Sequence, residues 1–210
     1  MSEIVSKSVK TDDQSLNVLN DVLNTLRFRG NIFFRSKLAA PWGFSFAKVK
    51  SPRFHIALNG DFYIGAGGHM GQTVNVKHMD IVMVPHGDMH WIADQSNSPL
   101  KASQDANIAC ELGSPFFQNG KITNKLICGI VHYEKDILHP IIDSLPSVLH
   151  FSNIESHDPI WMTVMLIDAE MQDDFSGKTL IIDRLTEVLF LQLLNRYVSG
   201  SNEKSVSLQQ

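Results

Sequence analysis

PRFHIALNGDFYIGAGGHMGQTVNVKHMDIVMVPHGDMHWIAD, residues 52–94, is the most informative part of the chain. Apolar residues recur at every second position in short runs broken by glycine- and asparagine-rich turns, the pattern of half-buried strands. In the first run the alternation sets Phe54, Ile56 and Leu58 on one face and Arg53, His55 and Ala57 on the other. Asn59-Gly60-Asp61 reads as a hairpin turn, with a short return strand to Ile64 and a loose turn over Gly65 to Gly71. Thr73 to Lys77, Asp80 to Val84 and His90 to Ala93 continue as strands of an antiparallel barrel or sandwich. The run closes on Pro85-His86-Gly87-Asp88-Met89-His90, a turn that presents His90 at the start of the next strand.

Upstream of this block, Gly30 to Leu38 reads as a strand, Pro41-Trp42-Gly43 as a turn and Phe44-Ser45-Phe46 as alternating sequence. Leu16, Leu19, Leu23 and Leu26 repeat at three and four and predict a leading amphipathic helix. Beyond the central block, Gln95 to Asp105 reads as a polar loop, and Ile108 to Leu112 and Asn124 to Glu134 as returning strands. After Pro140 the period becomes helical. Asp158-Pro159 starts one helix, with Trp161, Met165, Asp168 and Met171 along one face, and Lys178 to Val198 forms a second. The run Val188 to Leu194 is apolar nearly all round, which predicts burial on two sides, one against the sheets and one against a partner subunit through Leu185, Leu189 and Leu193. The division expected is a flexible start over 1–15, a β domain with its leading helix over 16–136, a helical dimerisation region over 137–198 and a disordered tail over 199–210.

With 18 Lys+Arg against 22 Asp+Glu, the 210-residue chain has a net charge of -4 and offers no basic footprint for a phosphate backbone. Direct nucleic-acid binding by these residues alone is not expected. Cys110 and Cys128 stand far apart, suggesting neither a disulfide framework nor a thiolate knuckle, and fit a reducing, cytoplasmic setting. No signal peptide or membrane-spanning run is evident.

The Pro-x-Gly-x-x-His spacing of Pro85 to His90 resembles the turn by which a cupin places a histidine inside a small β-barrel. The fold expected is mainly β with α: a double-stranded β-helix, or jelly-roll, barrel followed by two C-terminal helices. A cupin that does metal chemistry would add a His-x-His pair and a Glu. Here Arg53 stands where the Glu would be, and residues 42–48 contain no histidine. His55 and His90 alone share the expected interior, either hydrogen-bonded to each other, a water or a small acidic ligand, or holding a divalent transition metal such as zinc, nickel or copper. Arg53 could take a carboxylate there, and Trp42 and Trp91 could line the pocket or pack as core aromatics. His69, His78 and His86 read as turn residues, His139, His150 and His157 as structural ones, and His132 lies on a strand whose inner face is open.

Several separated stretches in order, LRFRGNIFFRSKLAAPWGFSF, PRFHIALNG, HMDIVMVPHGDMHWI, LICGIVHYEKDILHPIIDSLPSVLHF and LIIDRLTEVLFLQLLNRYV, resemble the cupin-type N-terminal domain of AraC-family transcriptional regulators. That resemblance implies a barrel receiving a small-molecule effector and helices that pair two subunits. In the family a DNA-binding domain of two helix-turn-helix motifs follows. The resulting expectation is an effector-sensing and dimerisation domain with ligand residues Trp42, Arg53, His55, His90 and Trp91. The alternatives are a metal-dependent cupin oxygenase or isomerase, with His55 and His90 as metal ligands, and a pure interaction module that competes for dimerisation.

Overall fold

The computed structural model describes residues 28–66, 73–133, 140–172 and 176–207. The leading helix expected around Leu16 to Leu26, together with His69 and His139, lies outside them. The elements are β1 (Phe28–Ala39), β2 (Gly43–Phe46), β3 (Arg53–Asn59), β4 (Phe62–Ala66), β5 (Thr73–Val76), β6 (Ile81–Val84), β7 (His90–Ala93), β8 (Lys101–Ala102), α1 (Ser103–Glu111), β9 (Ile122–Tyr133), α2 (Pro140–Asp143), β10 (Leu149–Phe151), α3 (Pro159–Glu170) and α4 (Lys178–Ser207).

Two five-stranded sheets face each other, in the orders β1-β9-β3-β6-β10 and β5-β4-β7-β2-β8. The result is a jelly-roll-like sandwich rather than a closed barrel, and the polar-apolar alternation of its strands separates two cores. Phe54, Ile56, Ile81, Met83, Ile127 and Val131 turn outward from the first sheet and pack under α3 and α4. Ala57, Phe44, Phe46, Val82, Val84, Ile92 and Cys128 fill the space between the sheets. The alternation read in β3 holds, with Arg53, His55 and Ala57 on the inner side.

Four local expectations are corrected. Asn59-Gly60-Asp61 does not close a hairpin within one sheet, because β3 and β4 belong to different sheets and the turn carries the chain between them. Gly60 has φ +72, and a Cβ there would lie 2.4 Å from the Thr123 carbonyl oxygen, so both conformation and space demand glycine. Residues 103–111, read partly as loop and partly as strand, form α1. Its small residues Ala106 and Ala109 are buried while Ile108 stays 54% exposed, so the apolar run that resembled a strand is not a buried one. Leu149–Phe151, within a stretch read as helical, is a strand paired with β6. Finally, α4 continues to Ser207, past the point where the polar sequence suggested a disordered tail.

The helical layer is anchored at several points. Asp158 caps α3 by accepting from the Ile160 N–H at 2.9 Å, with Pro159 in the first turn, and it also pairs with Arg196 of α4 at 2.6 Å. Arg35 of β1 bonds Asp168 of α3 at 2.7 Å. Gly30 of β1 lies so close to α4 that a Cβ would meet Thr186 at 2.6 Å. Removing the cap with Asp158→Ala is expected to cost about 1 kcal/mol, measured as a lower denaturant midpoint with an unchanged slope.

Candidate functional site

His55 comes from the middle of β3 and His90 from the first residue of β7, so the site spans both sheets. The turn before His90 is shaped by Gly87, with φ +60. A Cβ on it would stand 2.3 Å from the Val49 carbonyl oxygen and 2.4 Å from that of Ser51. This close approach docks the β6–β7 turn onto the segment that leads into Arg53, and the Val49 N–H donates to the Gly87 carbonyl at 2.9 Å. The glycine of the Pro-x-Gly-x-x-His spacing thus brings together the two loops that supply the site.

Both imidazoles are essentially sealed from solvent, and their Nε2 atoms are 2.8 Å apart. His90 Nδ1 lies 2.7 Å from the Asp88 carbonyl oxygen, and His55 Nδ1 lies 3.0 Å from Cys128 Sγ. A carbonyl only accepts, so His90 carries its proton on Nδ1 and its Nε2 is bare when neutral. His55 must then donate from Nε2, which leaves its Nδ1 to accept from the Cys128 thiol. The chain of bonds runs one way, from Cys128 through His55 and His90 to Asp88, and only one pair of neutral tautomers satisfies it.

Burial holds both rings neutral. It is the main cause that lowers His55 well below its ordinary range, with His90 and Arg53 adding to it. His90 is lowered to about 4, again chiefly by burial and further by Arg53, partly offset by the Asp88 carbonyl and carboxylate. The Cys128 thiol is pushed up by the same burial, so it is a weak donor and not a thiolate.

Phe46 organises the polar cluster. Its ring stacks on His90 with centroids 4.8 Å apart and planes at 8°, while the Arg53 guanidinium carbon sits 5.4 Å from the same ring centroid. Arg53 is 8% exposed; its Nη1 donates to the Ala47 carbonyl at 2.7 Å, and its Nε is buried with no hydrogen-bond partner. Next to this group a crevice lined by Phe33, Phe34, Phe44, Phe46, Ser103, Ala106 and Asn107 is too narrow to admit a water molecule. The β1–β9 register shifts between Ile32 and Phe34, and the consecutive Phe33 and Phe34 both pack with the inter-sheet cluster.

The structure therefore brings Arg53, His55 and His90 together and separates Trp42 and Trp91 from them. Trp42 lies beyond the other end of β2, where its Nε1 donates to Asn124 Oδ1 at 3.0 Å and its ring packs on Phe44 and Phe62. Trp91 alternates with His90 and points to the outer side of its sheet, lying over Gly65 so closely that a Cβ there would meet the indole at 2.4 Å. Phe46 and Cys128 are the additions that sequence reading missed. Cys128 is the register partner of His55 across β3 and β9, a long-range pairing that no local pattern encodes. The other histidines among the described residues stand apart: His78 packs edge-on against Trp161, His86 bonds the Leu145 carbonyl, His150 pairs with Asp80, His157 with Glu155, and His132 is exposed.

A divalent metal does not fit here. The two Nε2 atoms already share one hydrogen bond, each ring's other nitrogen is engaged, and an adjacent guanidinium opposes a second cation. Among the described residues no group of three His, Cys, Asp or Glu side chains is arranged as a metal site, and zinc ordinarily takes four ligands, at least three of them from the protein. Zinc, nickel or copper on His55 and His90 would thus find no third protein ligand among the described residues.

The helices bear on the expected subunit contact. Leu189 and Leu193 are fully buried within the chain, in the core shared with the first sheet, and Leu185 packs beside them. Leu189 and Leu193 are thus covered by their own chain, whereas Leu185 is only half-buried. Among the described residues the large apolar side chains of these helices that face outward are Met162, Met165 and Leu166 of α3, at 56%, 47% and 53% exposure, and Leu180, Ile181 and Val188 of α4, at 60%, 40% and 44%. The face read through Trp161 and Met165 is thus divided, Trp161 inward and Met165 outward.

A paired-sheet fold with a polar pair at its centre is that of a cupin, and comparison with known proteins agrees. The cupin family model matches residues 17–199, and the chain belongs to that family. Over 195 residues it is 22% identical to the HTH-type transcriptional regulator AlkR of Acinetobacter baylyi, covering 88% of this chain and 62% of that protein. An uncharacterized HTH-type transcriptional regulator of Haemophilus influenzae is 23% identical over 190 residues, covering 87% and 60%. The chain thus spans about three fifths of the length of these regulators. Among solved structures, an apo ToxT variant from Vibrio cholerae aligns over 83% of this chain and 57% of its own, at 8% identity and a TM-score of 0.43. An RmlC-like cupin from Desulfovibrio desulfuricans aligns over 62% of this chain and 94% of its own, at 11% identity and a TM-score of 0.28. The resemblance to regulator-associated cupin domains read from the sequence is borne out by the family match and the regulators it aligns with. Among the described residues no helix is long and apolar enough to cross a membrane.

Proposed function

We propose that this chain is the effector-sensing and dimerisation domain of an AraC-type transcriptional regulator, working in the cytoplasm. The observation that carries the reading is the sealed group of Arg53, His55 and His90 among the apolar side chains between the sheets. Burying a cation and two imidazoles opposes folding, and aliphatic residues would fill the same space at lower cost. A small molecule that meets these groups gives them a use. The regulators aligned over nearly all of this chain supply the context. An effector acts by binding two arrangements of the domain unequally, since equal affinity shifts nothing.

Screening small-molecule fractions of a cell extract by thermal shift tests the sensing half. At least one fraction is expected to raise the melting temperature of the wild-type protein and to lose that effect on His90→Leu. A screen in which no fraction discriminates between the two proteins counts against sensing.

The subunit interface in this reading is formed by the outward-facing Met162, Met165 and Leu166 of α3 with Ile181 and Val188 of α4, since clustered exposed apolar side chains mark association surfaces. The double variant Met165→Glu/Val188→Glu is expected to sediment as a folded monomer while the parent sediments as a dimer. Because both positions are exposed, the change in monomer stability should stay within about 0.5 kcal/mol. A dimer that survives the double substitution places the interface elsewhere.

A further inference from the structure

The sealed group carries one positive charge and no described negative charge to balance it. His55 and His90 are neutral in the bonded chain, and the Cys128 thiol keeps its proton. Asp88 is engaged at the surface with Lys48 at 2.9 Å. Arg53 itself makes no ion pair with a carboxylate among the described residues; its polar contact is the Ala47 carbonyl, and its Nε–H points at nothing that accepts. An uncompensated buried cation is costly, and removing the partner of a buried ion is among the most destabilising of single changes. The fold keeps such a cation at more than nine-tenths burial, against the ring of Phe46, which also lines the aromatic crevice.

We propose that Arg53 anchors the carboxylate of a small monocarboxylate with an apolar body, and that this ligand supplies the counter-ion the fold leaves out. The inference rests on the sensing function proposed above and names the ligand class for it. Three features select that class. With Nη1 committed to the Ala47 carbonyl, the guanidinium still offers the Nε side of its fork, which matches two coplanar oxygens of a carboxylate. One charge balances one charge: the two imidazoles are neutral in the bonded chain and add no positive charge, so a phosphate dianion would be undercompensated. The walls beside the guanidinium are aromatic, Phe46 against it and Phe33, Phe34 and Phe44 beyond, with Ser103 and Asn107 of the α1 segment at the rim. The ligand body must displace side chains to enter. The half-buried Phe33 at the β1 bulge and α1, held from below by the small residues Ala106 and Ala109, are the parts of the wall that yield most cheaply.

The experiment uses matched probes, benzoate against benzamide and hexanoate against hexanamide. Binding is read as a saturable rise in melting temperature and as a shift of the Arg53 Nε–H resonance. Both carboxylates are expected to act in the millimolar range or below, with each amide weaker by about tenfold or more, the worth of a charge-assisted hydrogen bond. Arg53→Met is expected to melt no lower than the wild type, since it deletes an unpaired buried cation, and to lose the carboxylate response. Should that variant fold poorly, Arg53→Lys provides the second arm: it keeps the charge, loses the planar fork and is expected to bind at least about tenfold more weakly. Amides that bind as well as the carboxylates overturn the proposal while leaving sensing intact. Carboxylates that stabilise wild type and Arg53→Met equally place the anion elsewhere and overturn it too. No response to any probe in the wild type overturns the ligand class, and only the extract screen failing as well removes the sensing function.

Discussion

Replacing Leu189 by Asp is expected to unfold the protein rather than to split a dimer. Leu189 is fully buried on α4, in a core that contains Phe54, Trp161, Val164, Phe190 and Leu193. Truncating such a leucine alone costs about 2–5 kcal/mol, and placing a carboxylate among these side chains adds the penalty of a buried, unpaired charge. The sum reaches most of the 5–15 kcal/mol that holds a typical domain together. Loss of helical circular dichroism and of a cooperative melt should follow at any protein concentration. By contrast, the Met165→Glu/Val188→Glu protein keeps its melt and changes only its sedimentation. A folded, monomeric Leu189→Asp protein would show that α4 does not pack on the first sheet as described.

The second large effect concerns the histidine pair. His90→Leu leaves the His55 Nε2–H buried without an acceptor and removes the stacked partner of Phe46, so a loss of about 2–4 kcal/mol is expected. His55→Leu strands His90 Nε2 and costs a similar amount. The double variant strands neither ring, so its destabilisation should be clearly less than the sum of the singles, with a coupling of about 1–3 kcal/mol in a double-mutant cycle. The same pair makes the wild type sensitive to acid. Both rings have pKa values lowered by folding, His90 to about 4, so between an ordinary pKa near 6.5 and that value the unfolded chain takes up protons that the native state refuses. Their contribution is fully present above pH 6.5 and is lost as pH falls toward 4, at about 1.4 kcal/mol per pH unit for each proton. The double leucine variant should show a shallower loss over that window, measured by denaturant titrations at several pH values. Parallel pH profiles for the two proteins would mean that the rings are not buried neutral.

Much of the fold was legible because strand alternation is a local signal. The two-residue period of Arg53 to Leu58 put His55 and Ala57 on the inner side, and the Pro-x-Gly-x-x-His spacing located His90, as the sandwich bears out. What stayed hidden depends on contacts distant in sequence. Asn59-Gly60-Asp61 looks the same whether it joins two strands of one sheet or crosses between sheets. Cys128 meets His55 only through the β3–β9 register, and Trp91 loses its place in the interior because it follows His90 by one residue. The helices misled for a related reason. An all-round apolar run predicts burial on two sides, and both sides of α4 near Leu189 and Leu193 are covered within the same chain, leaving Val188 and Ile181 outward.

Imidazole nitrogen NMR of the intact domain across pH 8 to 5 tests the closed polar centre most directly. Two rings should appear as fixed neutral tautomers, protonated on Nε2 in His55 and on Nδ1 in His90, and neither should titrate across that range. A ring at either position that averages between tautomers, or titrates near pH 6.5, would contradict the sealed, one-way hydrogen-bonded pair on which the site is built.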